Sequence, residues 1–316
     1  MDVDVVIPIH NGEAYINRAL DSILKQTWAP INVIVVDDGS EDSSASIVRT
    51  YQTAHTNIRL LQTKHVGLSA ARNLGIAAAS STYVALLDCD DYWGPRKLEH
   101  QIKYLVEHPD CSVVFSNCFI DNEIKKTIYE AVSNKETEFT YENIFLQKYR
   151  VIGSASSACI KLEILKKVGM FSENISYGED YDLWVRLGAL TRFHEVKHRD
   201  VFITIRTGSM QTIKQAGIAS FRNSTMYFEV WTKNKIDFKC YLNEFKKLIW
   251  PDIYRALKRR PTDLLDFFDE IQKRYPIPYS LIFSSSYLKF NFVVFNLFQG
   301  ACSRVTRFLR IDLSKS

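Results

Sequence analysis

The chain has 316 residues, enough for one large α/β domain with an appendage, and its 46% hydrophobic and 24% charged composition excludes a disordered polymer and a fibrous repeat. The formal net charge is only +4, and residues 281–316 carry five cations, Lys289, Arg304, Arg307, Arg310 and Lys315, against Asp312 alone. The remainder is neutral overall, which argues against a nucleic-acid-binding domain with a basic face.

Val3 to Ile9 is a β-branched apolar run, as expected of a strand buried on both faces of a parallel sheet. It ends at the turn His10-Asn11-Gly12. From Glu13 to Gln26 the apolar residues Ile16, Leu20, Ile23 and Leu24 recur at helical spacing; Pro30 interrupts, and Ile31 to Val36 supplies a second buried strand. Asp37-Asp38-Gly39-Ser40 forms the loop into another helix. A third strand is predicted around Ile58 to Leu61, a helix from about Leu68 to Ala79, and a fourth strand from Tyr83 to Leu87 that runs directly into Asp88-Cys89-Asp90-Asp91. The order βαβαβαβ predicts a doubly wound α/β sheet with helices on both faces. Ligands bind beyond the carboxyl ends of such strands, and the polar loops after strands one, two and four share that edge.

The second half is less regular. A strand is expected at Ser112 to Phe119, then a polar stretch to about Asn143, and a segment near Ser154 to Ile160 that rejoins the sheet. Beyond Phe221, helical spacing between Pro251, Pro261, Pro276 and Pro278 predicts several short helices, so the expected division is a catalytic domain at 1–220 and a helical region at 221–316. No secretory leader precedes Val3, which predicts a cytoplasmic protein. The six cysteines, Cys89, Cys111, Cys118, Cys159, Cys240 and Cys302, show no zinc spacing and read as reduced thiols. No apolar run reaches the length of a bilayer span.

Three carboxylates, Asp88, Asp90 and Asp91, at the end of an apolar strand repel one another unless a cation or a set of donors offsets them. Mg²⁺ or Mn²⁺ is the natural partner, since both prefer oxygen ligands and take only one or two from protein, leaving positions for water and a diphosphate. The bland alternative is that Asp91 caps a helix running from Trp93-Gly94-Pro95 to Leu105. Asp37-Asp38 is either turn and cap material or a second acidic loop accepting hydrogen bonds from a nucleobase or ribose. Arg72, in Ala70-Ala71-Arg72-Asn73, is either a surface arginine or a cation within reach of the base or diphosphate. Gly178-Glu179-Asp180-Tyr181-Asp182 opens a predicted helix whose Leu183, Trp184 and Leu187 face the core; its carboxylates either complement the helix dipole or supply a general base. The chain has no GxxxxGK[ST] loop, GxSxG elbow, HExxH or GxGxxG after its first strand, which removes P-loop, serine hydrolase and dinucleotide readings.

Val5-Val6-Ile7-Pro8-Ile9-His10-Asn11-Gly12, Val35-Val36-Asp37-Asp38-Gly39-Ser40, Ala70-Ala71-Arg72-Asn73-Leu74-Gly75 and Leu87-Asp88-Cys89-Asp90-Asp91, in this order, resemble family 2 glycosyltransferases. Gly178-Glu179-Asp180-Tyr181-Asp182, followed by Leu183-Trp184-Val185-Arg186-Leu187, looks like the downstream catalytic motif of that family. The resemblance covers roughly residues 3–210. It implies a GT-A fold, Rossmann-like with a mixed sheet flanked by helices, and inverting transfer from a nucleotide diphosphate sugar, UDP-linked by expectation, to a glycan or lipid-linked glycan in bacterial surface polysaccharide or lipopolysaccharide synthesis. By the same resemblance Pro8, His10, Asp38 and Arg72 hold the nucleotide, with Cys89 in the donor-binding loop. Asp88 touches the ribose or metal-bound water, and Asp90 ligates Mn²⁺ or Mg²⁺. Asp180 is the base, and Glu179 orients the acceptor or the loop. Many members carry a histidine near Ile205-Arg206-Thr207-Gly208-Ser209; none lies beyond His198 here, so Arg206 is the cation expected to neutralise the diphosphate.

In Leu288 to Leu309 apolar residues keep helical spacing beside Arg304, Arg307 and Arg310, which fits either a peripheral membrane contact through 288–310 at the inner face of the membrane or a helix packed on the domain. Two rival functions use similar loops: a metal-dependent nucleotidyltransferase, which lacks its Gly-rich basic loop here, and a non-catalytic nucleotide-sugar-binding module.

Overall fold

The structure, a computed structural model, describes residues 1–131, 141–145, 151, 155–175 and 178–207. The predicted helices beyond 221, the basic segment 288–310, Cys240 and Cys302 lie outside the described residues. In chain order the elements are β1 (Val3–Ile9), α1 (Ile16–Leu24), β2 (Ile31–Asp38), α2 (Ser44–Ala54), β3 (Ile58–Thr63), α3 (Leu68–Ala77), β4 (Tyr83–Leu86), β5 (Tyr92–Trp93) and α4 (Lys97–Glu107). They continue with β6 (Cys111–Asn122), β7 (Thr127–Glu130), α5 (Tyr141–Phe145), a 3-10 turn at Ala155–Ser157, β8 (Ala158–Lys161), α6 (Leu162–Lys167), α7 (Glu179–Gly188) and β9 (Arg192–Ile205).

These strands form one mixed sheet in the order β3-β2-β1-β4-β8-β6-β9-β5, with β7 paired to β6. The first four are parallel, as the alternation predicts. β8 then inserts antiparallel between β4 and β6, so the segment near Ser154 to Ile160 does rejoin the sheet, with reversed direction. β9 runs parallel to β6 with three register shifts along the pair, and β5 closes the edge antiparallel to β9. The order reverses at β1: β2 and β3 lie on one side and β4 on the other. That is the switch point at which parallel sheets open a crevice beyond their carboxyl ends.

Every residue of β1 is buried. Val3, Val5, Ile7 and Ile9 share a cluster with Ile16, Ala19, Leu20 and Ile23 of α1, because alternate strand residues point to one face and the helix repeats every three or four. On the opposite face α3 packs so closely that a Cβ added to Gly75 would sit 2.4 Å from Val6 Cγ1 and 3.2 Å from Val36 Cγ2. Among the described residues no helix is long and apolar enough to cross a membrane, and the four described cysteines are free.

Candidate active site

At the ends of β1 and β2, His10 Nδ1 lies 2.9 Å from the Asp38 carbonyl oxygen. The His10 ring packs 4.3 Å from that of His65 at a tilt of 33°. Asp37 and Asp38 are the last residues of β2 rather than loop residues. Asp38 accepts from the Val66 and Gly67 N–H groups at 2.6 and 2.9 Å, so the β2 end fixes the loop that opens α3. Asp37 accepts from Ser40 N–H at 3.0 Å and Gln62 Nε2 at 2.9 Å. Gly39 takes φ +73 here, with His65 N 2.9 Å from any added Cβ. A side chain there would be strained and would collide with backbone. Pro8 is buried beneath this rim.

The acidic loop leaves β4 in a tight turn closed by Asp91 N–H donating to the Asp88 carbonyl at 3.0 Å. Asp91 does not cap a helix. Helix α4 starts only at Lys97, with Arg96 as its cap residue. Asp91 is instead buried, accepting from Ser156 Oγ at 2.5 Å and Thr204 N–H at 2.8 Å. Burial first, then Asp88 and Asp90, hold its carboxyl well above the usual range. Ser156 Oγ also accepts from Asp88 N–H at 3.0 Å, so one hydroxyl ties two aspartates of the loop. Cys89 packs against Gly12, 3.0 Å from the position of an added Cβ. Burial, with Asp90 and Asp88 nearby, pushes its thiol far up.

Asp90 meets two cations, one from α1 and one just beyond β9. Arg206 Nε donates to Asp90 Oδ2 at 2.9 Å, and Arg18 of α1 donates to the Asp90 carbonyl at 3.0 Å and to Thr204 Oγ1 at 2.9 Å. Arg206 also lies 4.9 Å from the centre of the Tyr15 ring. Burial and then Asp88 raise the Asp90 carboxyl, while Arg206 opposes them. Arg72 is no surface arginine: it is 1% exposed. Its Nη2 donates to Asp88 Oδ1 at 2.6 Å and its Nη1 to Glu179 Oε1 at 2.8 Å. Glu179 and Asp180 open α7 behind Gly178, whose φ of +80 a side chain would disfavour. Asp180 Oδ1 accepts from Tyr181 N–H at 2.7 Å. Leu183, Trp184 and Leu187 are buried, as their spacing predicts.

The structure thus gathers Arg72, Asp88 and Glu179 in one ion-paired group and Asp90 with Arg206 in a second. His10 and Asp38 form a third, held together at the β1 and β2 ends. Sequence reasoning missed Arg18, Tyr15, Ser156 and Thr204, whose roles depend on contacts 65 or more positions away for Ser156 and 72 or more for Arg18. No local motif marks them. Among the described residues no group of three or more His, Cys, Asp or Glu side chains is placed to hold a metal by itself. Asp88 and Asp90, half-buried and mutually repelling, nonetheless fit a hard divalent ion that draws its remaining ligands from water and phosphate.

The family model for glycosyl transferase family 2 matches residues 4–169, more than half of the chain. The chain belongs to that family. The match selects it over the nucleotidyltransferases that share strand-end aspartates. Two uncharacterized glycosyltransferases of Rickettsia resemble it. That of Rickettsia typhi is 31% identical over 61% of this chain and 62% of its own length. That of Rickettsia prowazekii is 30% identical over 68% of this chain and 66% of its own length. The alignments therefore span a little under two thirds of these relatives. Among solved structures, Staphylococcus aureus TarS in complex with UDP-GlcNAc superposes with a TM-score of 0.58 at 18% identity, covering 81% of this chain and 82% of that one. The mannosyltransferase PcManGT of Pyrobaculum calidifontis, in complex with GDP-Man and Mn²⁺, gives 0.56 at 19% identity, covering 87% and 81%. These likenesses establish the GT-A fold.

Proposed function

We propose that the family 2 chain transfers a sugar, with inversion, from a nucleoside diphosphate sugar to an acceptor hydroxyl at the carboxyl edge of β1, β2 and β4. The observation that carries the reading is the Asp88–Arg72–Glu179 ion-paired group, which joins the acidic loop after β4 to the first turn of α7. Donor-side and acceptor-side carboxylates are thereby tied into one site. The complexes of TarS with UDP-GlcNAc and of PcManGT with GDP-Man support a nucleotide-sugar donor.

Asp88 and Asp90 would hold a divalent ion, Mn²⁺ or Mg²⁺, whose chemistry when bound is to offset charge on the departing diphosphate. PcManGT, with its Mn²⁺, supports this assignment. Arg206, at the same aspartate, adds a fixed cation for the diphosphate. The ends of β1 and β2, with Pro8, His10 and Asp38, form the nucleoside side of the site. Asp180 takes the proton of the acceptor hydroxyl as its oxygen bonds to the anomeric carbon, and the bond from that carbon to the diphosphate breaks on the opposite face. Nucleoside diphosphate leaves with the bonding electrons. The acceptor is read as a glycan or lipid-linked glycan of bacterial surface polysaccharide synthesis, with transfer at the cytoplasmic face of the membrane and 221–316 as a separate helical region.

Product configuration tests the mechanism. An α-linked donor should give a β-linked product by NMR, and Asp180→Asn should lose turnover by about 10²–10⁴-fold while still binding nucleotide. Retained configuration, or an Asp180→Asn variant as fast as wild type, contradicts the assignment.

A further inference from the structure

Two consecutive residues of α3 hold the segment that leads into α7. Arg72 reaches Glu179 with one Nη and Asp88 with the other, and its Cζ lies 5.0 Å from the centre of the Phe171 ring. Its Nε is buried with no hydrogen-bond partner. Asn73 grips the backbone of that same Phe171 at both ends: Nδ2 donates to Phe171 O at 2.9 Å, and Oδ1 accepts from Phe171 N–H at 2.9 Å. Nδ2 also donates to Glu173 Oε1 at 2.9 Å. Residues 98 or more positions apart are thus joined at two adjacent points, one ionic and one neutral.

A guanidinium sealed between two carboxylates of different elements has little freedom, because its donors form a rigid fork. We propose that Arg72 and Asn73 form a positioning clamp that sets the first turn of α7, with Glu179 and Asp180, against the acidic loop after β4. The clamp deepens the transferase reading of this site and rests on it. Its effect is on the alignment of Asp180 with the reacting centre, where misplacement lowers turnover more than binding.

The test uses the full chain and the variants Arg72→Lys, Arg72→Gln and Asn73→Ser, with two readouts. Amide hydrogen exchange in the segments 171–175 and 178–183 should speed up by about tenfold, with β1 unchanged. With Mn²⁺ and whichever of UDP or GDP binds wild type, the nucleotide Kd should stay within about twofold while kcat for donor turnover falls about tenfold or more. Arg72→Lys should retain more of the rate than Arg72→Gln. Weakened nucleotide binding with unchanged exchange in α7 would make Arg72 a donor ligand and overturn the clamp. If wild type binds no nucleotide and turns over no donor, the transferase reading fails instead. Unchanged exchange sinks the clamp in either case. Should the Arg72 variants not fold, Asn73→Ser leaves the charges in place and carries both readouts.

Discussion

Arg206 Nε donates to Asp90 Oδ2 at 2.9 Å, tying the first residue beyond β9 to the acidic loop that follows β4. The pair is partly exposed at the edge where the diphosphate is proposed to sit. A charge-assisted hydrogen bond contributes about 1.5–3 kcal/mol, so Arg206→Ala should raise the donor KM by roughly tenfold or more. Steady-state kinetics at saturating Mn²⁺ would measure it. Unchanged donor kinetics would remove Arg206 from the diphosphate.

Ser156 is the structural hinge of the acidic loop, since its hydroxyl bonds both Asp91 and the Asp88 N–H. Ser156→Ala leaves the buried Asp91 carboxyl and the part-buried Asp88 N–H each short of a partner. The expected loss is about 1–3 kcal/mol of stability, read from urea unfolding midpoints. A midpoint equal to wild type would show that water replaces the hydroxyl.

Lys97 is fully buried, its Nζ 3.8 Å from the centre of the Trp93 ring and 3.3 Å from the Ala158 carbonyl. Burial pulls its pKa down to about 7 from 10.5. The unfolded chain keeps this proton up to about pH 10.5, whereas the native state releases it near 7, so the unfolded state binds more protons across that window. Stability therefore rises with pH there, by about 1.4 kcal/mol per pH unit from this one group, and below pH 7 the full deficit persists. Lys97→Met should melt above wild type at pH 6, and the gap should narrow by pH 9. A gap that is constant with pH would mean that Lys97 titrates alike in both states.

Gly75→Ala places a methyl 2.4 Å from Val6 Cγ1, in the seam between α3 and β1. Val6 is fully buried and has no room to retreat. Overpacking of this kind costs about 1–3 kcal/mol. Differential scanning calorimetry would register a lower Tm; no change would show that the helix can lift.

Strands covered on both faces announce themselves as apolar runs, which is why Val3–Ile9, Ile31–Asp38 and Tyr83–Leu86 are legible with small shifts at their ends. The residues that follow them fall on the carboxyl edge by the geometry of parallel strands alone. β5 is two residues long, too short for any period to show, and although the segment near Ser154 to Ile160 reads as rejoining the sheet, nothing in it says that β8 runs against β4 and β6. The burial of Arg72 was equally illegible. Nothing near it in sequence names Glu179, 107 positions away, as the carboxylate that makes a buried cation tolerable. Asp91 looks like a helix cap until Ser156, from the 3-10 turn before β8, and Thr204 of β9 bond it.

The central claim is tested most directly by a thermal-shift and turnover screen of UDP-, GDP- and dTDP-sugars with and without Mn²⁺, on wild type, Asp90→Asn and Asp180→Asn. One donor should stabilise and turn over on wild type only with metal; Asp90→Asn should lose that shift, and Asp180→Asn should keep the shift but lose turnover. No donor binding to wild type, or both variants behaving as wild type, would contradict a metal-assisted glycosyl transfer at this site.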